Sequence, residues 1–304
     1  MFSVIMSVYN ERLDVLSLAI ESVLKQTYTD FEFIIVLDNP DNIIIRETLH
    51  HFESKDKRVK LMINKDNIGL AKSLNKAIDL ANRDFIIRMD ANDIALPNRF
   101  IVLHNSIDRN VDVYFSQYNV INDHGEFLKK SLTMPTRTSV LKRILKQKNI
   151  ICHPTVMIKS EVMKREKYSE LRISEDYDLW IRLISSGYKF KGINEVLLDC
   201  RIVLDGMTAS DYYKSYFALD FIWSFYNKHG TKSHLTNEFF EEELEKRVST
   251  REKYNMFASE YFQIINGKRN ASSYLRLVRI FISSPHIFNF FLKSVKASIL
   301  RRIG

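Results

Sequence analysis

Two hydrophobic rhythms alternate through the amino-terminal third of the chain. The runs FSVIMSVY (2–9), FEFIIVL (31–37), RVKLMI (58–63) and DFIIRM (84–89) are short, nearly unbroken and rich in β-branched residues, the pattern of strands buried on both faces. Between them the period lengthens to that of a helix. Residues 14–26 set Leu16, Ala19, Ile20, Val23 and Leu24 on one face, and residues 69–81 do the same with Leu70, Leu74, Ala77, Ile78 and Ala81. Residues 41–54 also read as helical, although NIIIRE within them fits a strand. Alternation of this kind predicts an α/β domain, a mostly parallel sheet with helices on both faces.

The middle of the chain is mixed. VDVYFSQYNVI (111–121) and EFLKKSL flank NDHG, a hairpin signal. SVLKRILKQ predicts a short helix, PTVMIK (154–159) a strand, residues 176–187 a helix ending at Gly187, and EVLLDCRIV (195–203) a last strand. From about residue 208 the pattern is all-helical. The chain therefore divides into an α/β domain at 1–205 and a helical region at 206–304.

Each predicted strand of the first half is followed by a polar cluster: SVYNE, DNPDN, NKDNIG and DANDI. In a parallel sheet those four positions face one crevice, where ligands bind. In DANDI, Asp90, Asn92 and Asp93 offer oxygens suited to Mg²⁺ or Mn²⁺; alternatively Asp93 caps the following helix and Asp90 closes the strand. Asp38 suits a ribose or base N–H, or introduces an Asx-turn. Glu175 and Asp176 open a predicted helix, where acidic residues satisfy free N–H groups and where a general base also fits. His153, before Pro154, has a structural reading as its default.

Composition narrows the classes. Apolar residues at 45% and charged residues at 27% exclude global disorder. Two cysteines, Cys152 and Cys200, cannot build a disulfide framework and point to cytosolic thiols. No secretory signal or membrane span is legible, so the expectation is a cytoplasmic protein. The net charge of +8 is local: beyond Glu260 stand eight cations and no acid, which accounts for the whole excess of 45 basic over 37 acidic residues. The stretch SSPHIFNFFLKSVKASILRRIG reads as a helix capped by Ser284, with Phe288, Phe291, Leu292, Val295, Ile299 and Ile303 on its apolar side. A basic amphipathic helix suits the anionic inner face of a membrane. Packing on the α/β domain is the alternative, and nucleic acid fits Phe and Ile poorly.

Taken in order, SVYNER, the Asp38 loop, NxGLAKSLNKAI, RMDANDIALPNRF, HPTVMIK and SEDYDLWIRL resemble the inverting glycosyltransferases of family 2, over roughly residues 1–205. The resemblance is greatest to bacterial enzymes that assemble O-antigen or capsule repeat units. It implies the GT-A fold, a UDP-sugar donor, Mn²⁺ or Mg²⁺, a lipid-linked saccharide acceptor, and work at the cytoplasmic membrane's inner face. It also implies roles. Ser7 and Tyr9 would lie against the uracil, Asp38 would bond its N–H and Lys72 would reach the nucleotide. Asp90 would contact the ribose and metal, and Asp176 would be the catalytic base. Glu175, Trp180 and His153 would shape the acceptor pocket, and Arg201 would sit in a mobile stretch closing over the diphosphate. Asn92 stands where the family commonly has Asp, so either Asn92 or Asp93 completes the metal site. Two rivals remain: an inactive sugar-nucleotide-binding scaffold, favoured by Asn92, and a nucleotidyltransferase, which would want a glycine-rich basic loop that SVYNERLD does not offer.

Overall fold

The computed structural model describes residues 1–202, 212–246 and 254–257, with single helical positions between 275 and 300. Strands β1 (Phe2–Val8), β2 (Phe31–Leu37), β3 (Val59–Ile63) and β4 (Phe85–Arg88) alternate with helices α1 (Leu13–Leu24), α2 (Ile43–Lys55) and α3 (Leu70–Leu80). β1 pairs in parallel with β2 and β4, and β2 with β3. Every residue of β2 is buried, as its unbroken apolar run requires. NIIIRE is helical: Asn42 accepts the Ile45 N–H at 3.1 Å, and that cap prevails over the β-branched composition.

Beyond β4 come β5 (Ile94–Ala95), α4 (Arg99–Asn105), β6 (Val113–Ile121), β7 (Phe127–Lys130) and α5 (Thr138–Leu145). A 3₁₀ turn (His153–Thr155), β8 (Met157–Lys159), α6 (Ser160–Glu166), α7 (Glu175–Ser185) and β9 (Phe190–Arg201) complete the sheet. The strand order is β3-β2-β1-β4-β8-β6-β9-β5, with β7 on β6. β8 runs antiparallel between β4 and β6, and β5 antiparallel to β9, while β6 and β9 are parallel. The strand expected at 154–159 is halved because Pro154 belongs to the 3₁₀ turn. β9 starts five residues earlier than its apolar run, because its first residues pair with β6.

Two cores flank the sheet. One lies under α1, α2 and α4. The other lies under α3, α5, α6 and α7, and there the carboxyl-terminal helices α8 (Tyr212–His229) and α9 (Asn237–Glu245) add Phe217, Ile222, Tyr226, Phe240 and Leu244. Each such side chain contributes roughly 1.5–3 kcal/mol by burial. Tyr177 stitches three helices together, its hydroxyl facing the carbonyls of Leu145 at 2.8 Å and Leu219 at 3.3 Å. Among the described residues no helix is long and apolar enough to cross a membrane.

Candidate active site

The polar clusters gather at the carboxyl ends of β1 to β4, as parallel topology dictates. At the end of β1, Ser7 is half-buried and Tyr9 is 49% exposed, an open aromatic surface. Asp38, at the end of β2, is buried and heavily bonded. Its Oδ1 accepts from Asn64 Nδ2 (2.8 Å) and the Ile68 N–H (2.9 Å), and its Oδ2 from the Gly69 N–H (2.8 Å). A carboxylate has about four lone-pair sites, so three are committed to the protein and one remains for a ligand. Gly69 begins α3 at φ +87, a backbone conformation that suits glycine and directs its N–H to Asp38. One turn further on, Lys72 is half-exposed, ion-paired with Glu170 at 3.0 Å, and lines a groove of about 1330 Å³.

The end of β4 carries the charge. Arg88, its last residue, is buried and donates to Asp90 Oδ1 and to the Met89 carbonyl. Burial works against the Arg88 charge, but Asp90, Tyr168 and Glu175 outweigh it and hold its pKa above the usual value. Arg99 lies in the same buried layer, donating to the carbonyls of Arg88 (2.9 Å) and Pro154 (2.6 Å). Burial drops its pKa to about 10. Asp90 is the common neighbour of the acidic groups: its charge raises Glu11, Asp93, Glu175 and Asp176, each of them already raised by burial.

The two candidate second ligands, Asp93 and Asn92, are placed differently. Asp93 is 1% exposed, its Oδ1 accepts the Arg201 N–H at 2.7 Å, and its Oδ2 has no partner. Burial, then Asp90, pushes its pKa up to about 8. Asp93 is thus turned inward, toward the Arg201 N–H. Asn92 is half-buried, its carbonyl accepts from Arg201 Nε at 3.0 Å, and its side-chain amide makes no hydrogen bond among the described residues. Arg201 has protein partners of its own. It is the ordered end of β9, 7% exposed, and its guanidinium is spent on the carbonyls of Asn92, Asn122 and Asp123 rather than left for a diphosphate. Residues 203–211 lie outside the described residues.

Helix α7 supplies the other wall. Its preceding residue, Ser174, has φ 61, a left-handed conformation that costs a non-glycine residue on the order of 1 kcal/mol. Asp176 is half-buried; its Oδ2 accepts from Asn149 Nδ2 at 3.1 Å and its Oδ1 from the Tyr177 N–H at 2.6 Å. Glu175 lies 3.9 Å from His153 Nδ1, and burial followed by Asp176 pushes its pKa up to about 8. Burial and Arg88 hold His153 well below the usual histidine value, so it is neutral, with Nε2 2.7 Å from the Tyr168 hydroxyl. Trp180 is fully buried and meets His153 edge-on at 6.1 Å. With no exposed surface, it stands behind His153.

Asp90, Glu175, Asp176 and His153 are thus brought together around Arg88, while Lys72 stands on the groove side. Arg88, Glu11, Asn149 and Tyr168 were not singled out from the sequence. Only Arg88 carried a signal, a cation ending an apolar strand. Among the described residues, no group of three His, Cys, Asp or Glu side chains is spaced to hold a metal by itself. Asp90 retains Oδ2 and 34% exposure, and Asn92 adds an amide oxygen. Two hard oxygens beside an acid-rich pocket fit a divalent ion completed by phosphates and water.

This geometry agrees with the comparisons. Residues 3–167 match the model of Glycosyl transferase family 2. A glycosyltransferase of Methanocaldococcus jannaschii is 40% identical over 205 residues, 66% of this chain and 70% of that protein. The O-antigen biosynthesis glycosyltransferase WbnJ of Escherichia coli is 36% identical, over 66% of this chain and 80% of its own. Also from Escherichia coli, UDP-Gal:alpha-D-GlcNAc-diphosphoundecaprenol beta-1,3-galactosyltransferase is 29% identical over 66% and 74%. Among solved structures, Staphylococcus aureus TarS with UDP-GlcNAc superposes with a TM-score of 0.60 at 16% identity, covering 92% of this chain and 79% of that one, a likeness of fold. The chain is a GT-A-fold enzyme and belongs to glycosyltransferase family 2.

Proposed function

We propose that the protein transfers a hexose or N-acetylhexosamine from a UDP-sugar, with inversion, to a lipid-linked saccharide during surface-polysaccharide assembly, working at the inner face of the cytoplasmic membrane. The observation that carries the reading is the setting of Asp176, a carboxylate held by Asn149 and the Tyr177 N–H inside the acidic pocket of Asp90. Support for the donor comes from TarS, solved with UDP-GlcNAc, and for the acceptor from the relative named for a diphosphoundecaprenol substrate.

At neutral pH Glu175 keeps its proton, so the Glu175–Asp176 pair carries one negative charge. Two hydrogen-bond donors favour placing it on Asp176. Asp176 takes the acceptor hydroxyl's proton as that oxygen bonds the anomeric carbon and UDP departs from the opposite side, a single displacement that inverts. Tyr9 offers its ring to the uracil, and Asp38 keeps one acceptor site for a base N–H. Asp90 and Asn92 would hold the cation, which when bound would offset charge on the departing diphosphate. Neutral His153 and protonated Glu175 shape the acceptor side without adding charge.

The test is Asp176→Asn with UDP-Glc, UDP-Gal and their N-acetyl forms as donors. Transfer is expected to fall roughly 10²–10⁴-fold while UDP affinity stays within about twofold. Undiminished transfer removes Asp176 as base, and absence of turnover by the wild type with every donor favours the scaffold reading.

A further inference from the structure

The chain has two cysteines, Cys152 and Cys200, and the fold brings them together. Cys200 lies in β9, where it pairs with Val120 of β6. Cys152 precedes the 3₁₀ turn, and its carbonyl accepts from the Thr155 N–H at 2.9 Å and the Thr155 hydroxyl at 2.6 Å. From these two braced positions the sulfurs meet at 3.7 Å, Cys152 donating its S–H. Both residues are half-buried, so the pair is not sealed from solvent. Unlike the carboxyl-terminal stripe, where Ser284, Phe291 and Ile303 lie outside the described residues, both thiols stand in described segments.

Each cysteine is joined to one side of the acidic pocket through the residue that follows it. His153 follows Cys152, its Nε2 2.7 Å from the Tyr168 hydroxyl and its Nδ1 3.9 Å from Glu175. Arg201 follows Cys200; its N–H donates to Asp93 and its Nε to the Asn92 carbonyl. Arg99 ties the same two sides together from behind, bonding the carbonyls of Pro154 and Arg88. The thiol pair therefore stands where the Glu175 wall and the DANDI loop meet, and the proposed mechanism makes no use of it.

We propose that Cys152 and Cys200 are a modification site, a dithiol that a small-molecule disulfide closes to an intramolecular disulfide, shutting down transfer. One thiolate attacks the oxidant R–S–S–R and releases RS⁻. The other cysteine sulfur, losing its proton, then displaces the second RS⁻ from the mixed disulfide. Two S–H bonds become one S–S bond, and the two electrons and two protons leave as two RSH. The sheet and the turn already hold the sulfurs together, so closure costs little of the loop entropy that positions 48 residues apart would otherwise impose.

Bond formation draws the sulfurs from 3.7 Å to about 2.05 Å, nearly halving the gap. That movement reaches His153 and Arg201 across one peptide each. A shift of about 1 Å at a reacting site costs on the order of 100-fold in rate. The effect on transfer rests on the proposed function; formation of the bridge does not.

Treating the full chain with glutathione disulfide tests both halves. The expected product is a monomer lighter by two hydrogen atoms, with no free thiol after denaturation and both thiols restored by dithiothreitol. Because the chain has no other cysteine, an intramolecular bridge can join only this pair. Transfer by the bridged protein should fall about 100-fold and recover on reduction. Cys152→Ser and Cys152→Ala should form no bridge, keep the transfer rate of reduced wild type and lose the reversible inhibition. Glutathione adducts on both thiols, disulfide-linked dimers, or a bridged protein with undiminished transfer would overturn the proposal. So would a loss of transfer in both reduced variants equal to that of the bridge, which would make Cys152 a packing residue. The wild-type comparison needs no variant, so a misfolded variant leaves it decisive. A reduced wild type that turns over no donor removes the proposed function, and bridge formation alone then decides the modification site.

Discussion

The Asp38 loop and the Glu175–Asp176 corner are both buried carboxylate sites, and they are built in opposite ways. Asp38 is surrounded by donors, its oxygens taken by Asn64 and two backbone N–H groups, so its charge is spent on holding the β3–α3 loop in shape. Glu175 and Asp176 sit among other acids, with few donors and one buried cation nearby, and their proton affinities rise. The first site makes a braced edge, which in the proposed function would receive the base. The second, in the proposed function, would take up the acceptor's proton. Donor count, more than burial, separates a carboxylate used for architecture from one used for chemistry.

The strongest test removes the cation. Arg88→Met leaves Asp90 and Glu175 without their buried partner, and should cost about 3–5 kcal/mol of stability in a denaturant titration. A loss under about 1 kcal/mol would mean that the acidic corner does not depend on it. Asp38→Ala is expected to be milder, about 1–3 kcal/mol, because the loop's N–H groups lose their acceptor, and to weaken UDP binding through the displaced loop. If stability falls while UDP affinity holds, the loop's shape is not what receives the base.

A further effect is one of pH. Glu175 has an ordinary value of 4.5 and a folded value of about 8. The unfolded chain releases this proton first, so stability from the group is full below 4.5 and is lost as pH rises toward 8. Glu175→Gln should therefore match wild type near pH 5 and become progressively more stable than it up to pH 8. Parallel melting curves across that window would show that Glu175 titrates normally.

Much of this was legible in the sequence because it is local. Apolar runs and helical spacing located β1 to β4 and α1 to α3, and strand-end position marked Asp38 and Asp90. What failed was orientation. Nothing in DANDI says that Asp93 turns inward to the Arg201 N–H, a contact 108 residues away, or that Arg201 spends its guanidinium on carbonyls. Trp180 reads as an aromatic near a pocket, but helix phase and the packing of α8 put it in the core. Asn149 carried no motif at all, since its function exists only through its reach to Asp176.

Arg88 has one more consequence. A pocket of carboxyls ordinarily needs an external ion before it will fold quietly, which makes such proteins dependent on metal supply for their integrity. Here the chain brings its own counter-ion, bonded to Asp90. Folding would then not depend on a metal, and a chelator should leave the melting temperature of the ligand-free protein unchanged in a thermal scan. At the proposed site of Asp90 and Asn92, a metal and a sugar nucleotide would raise each other's affinity by the same factor.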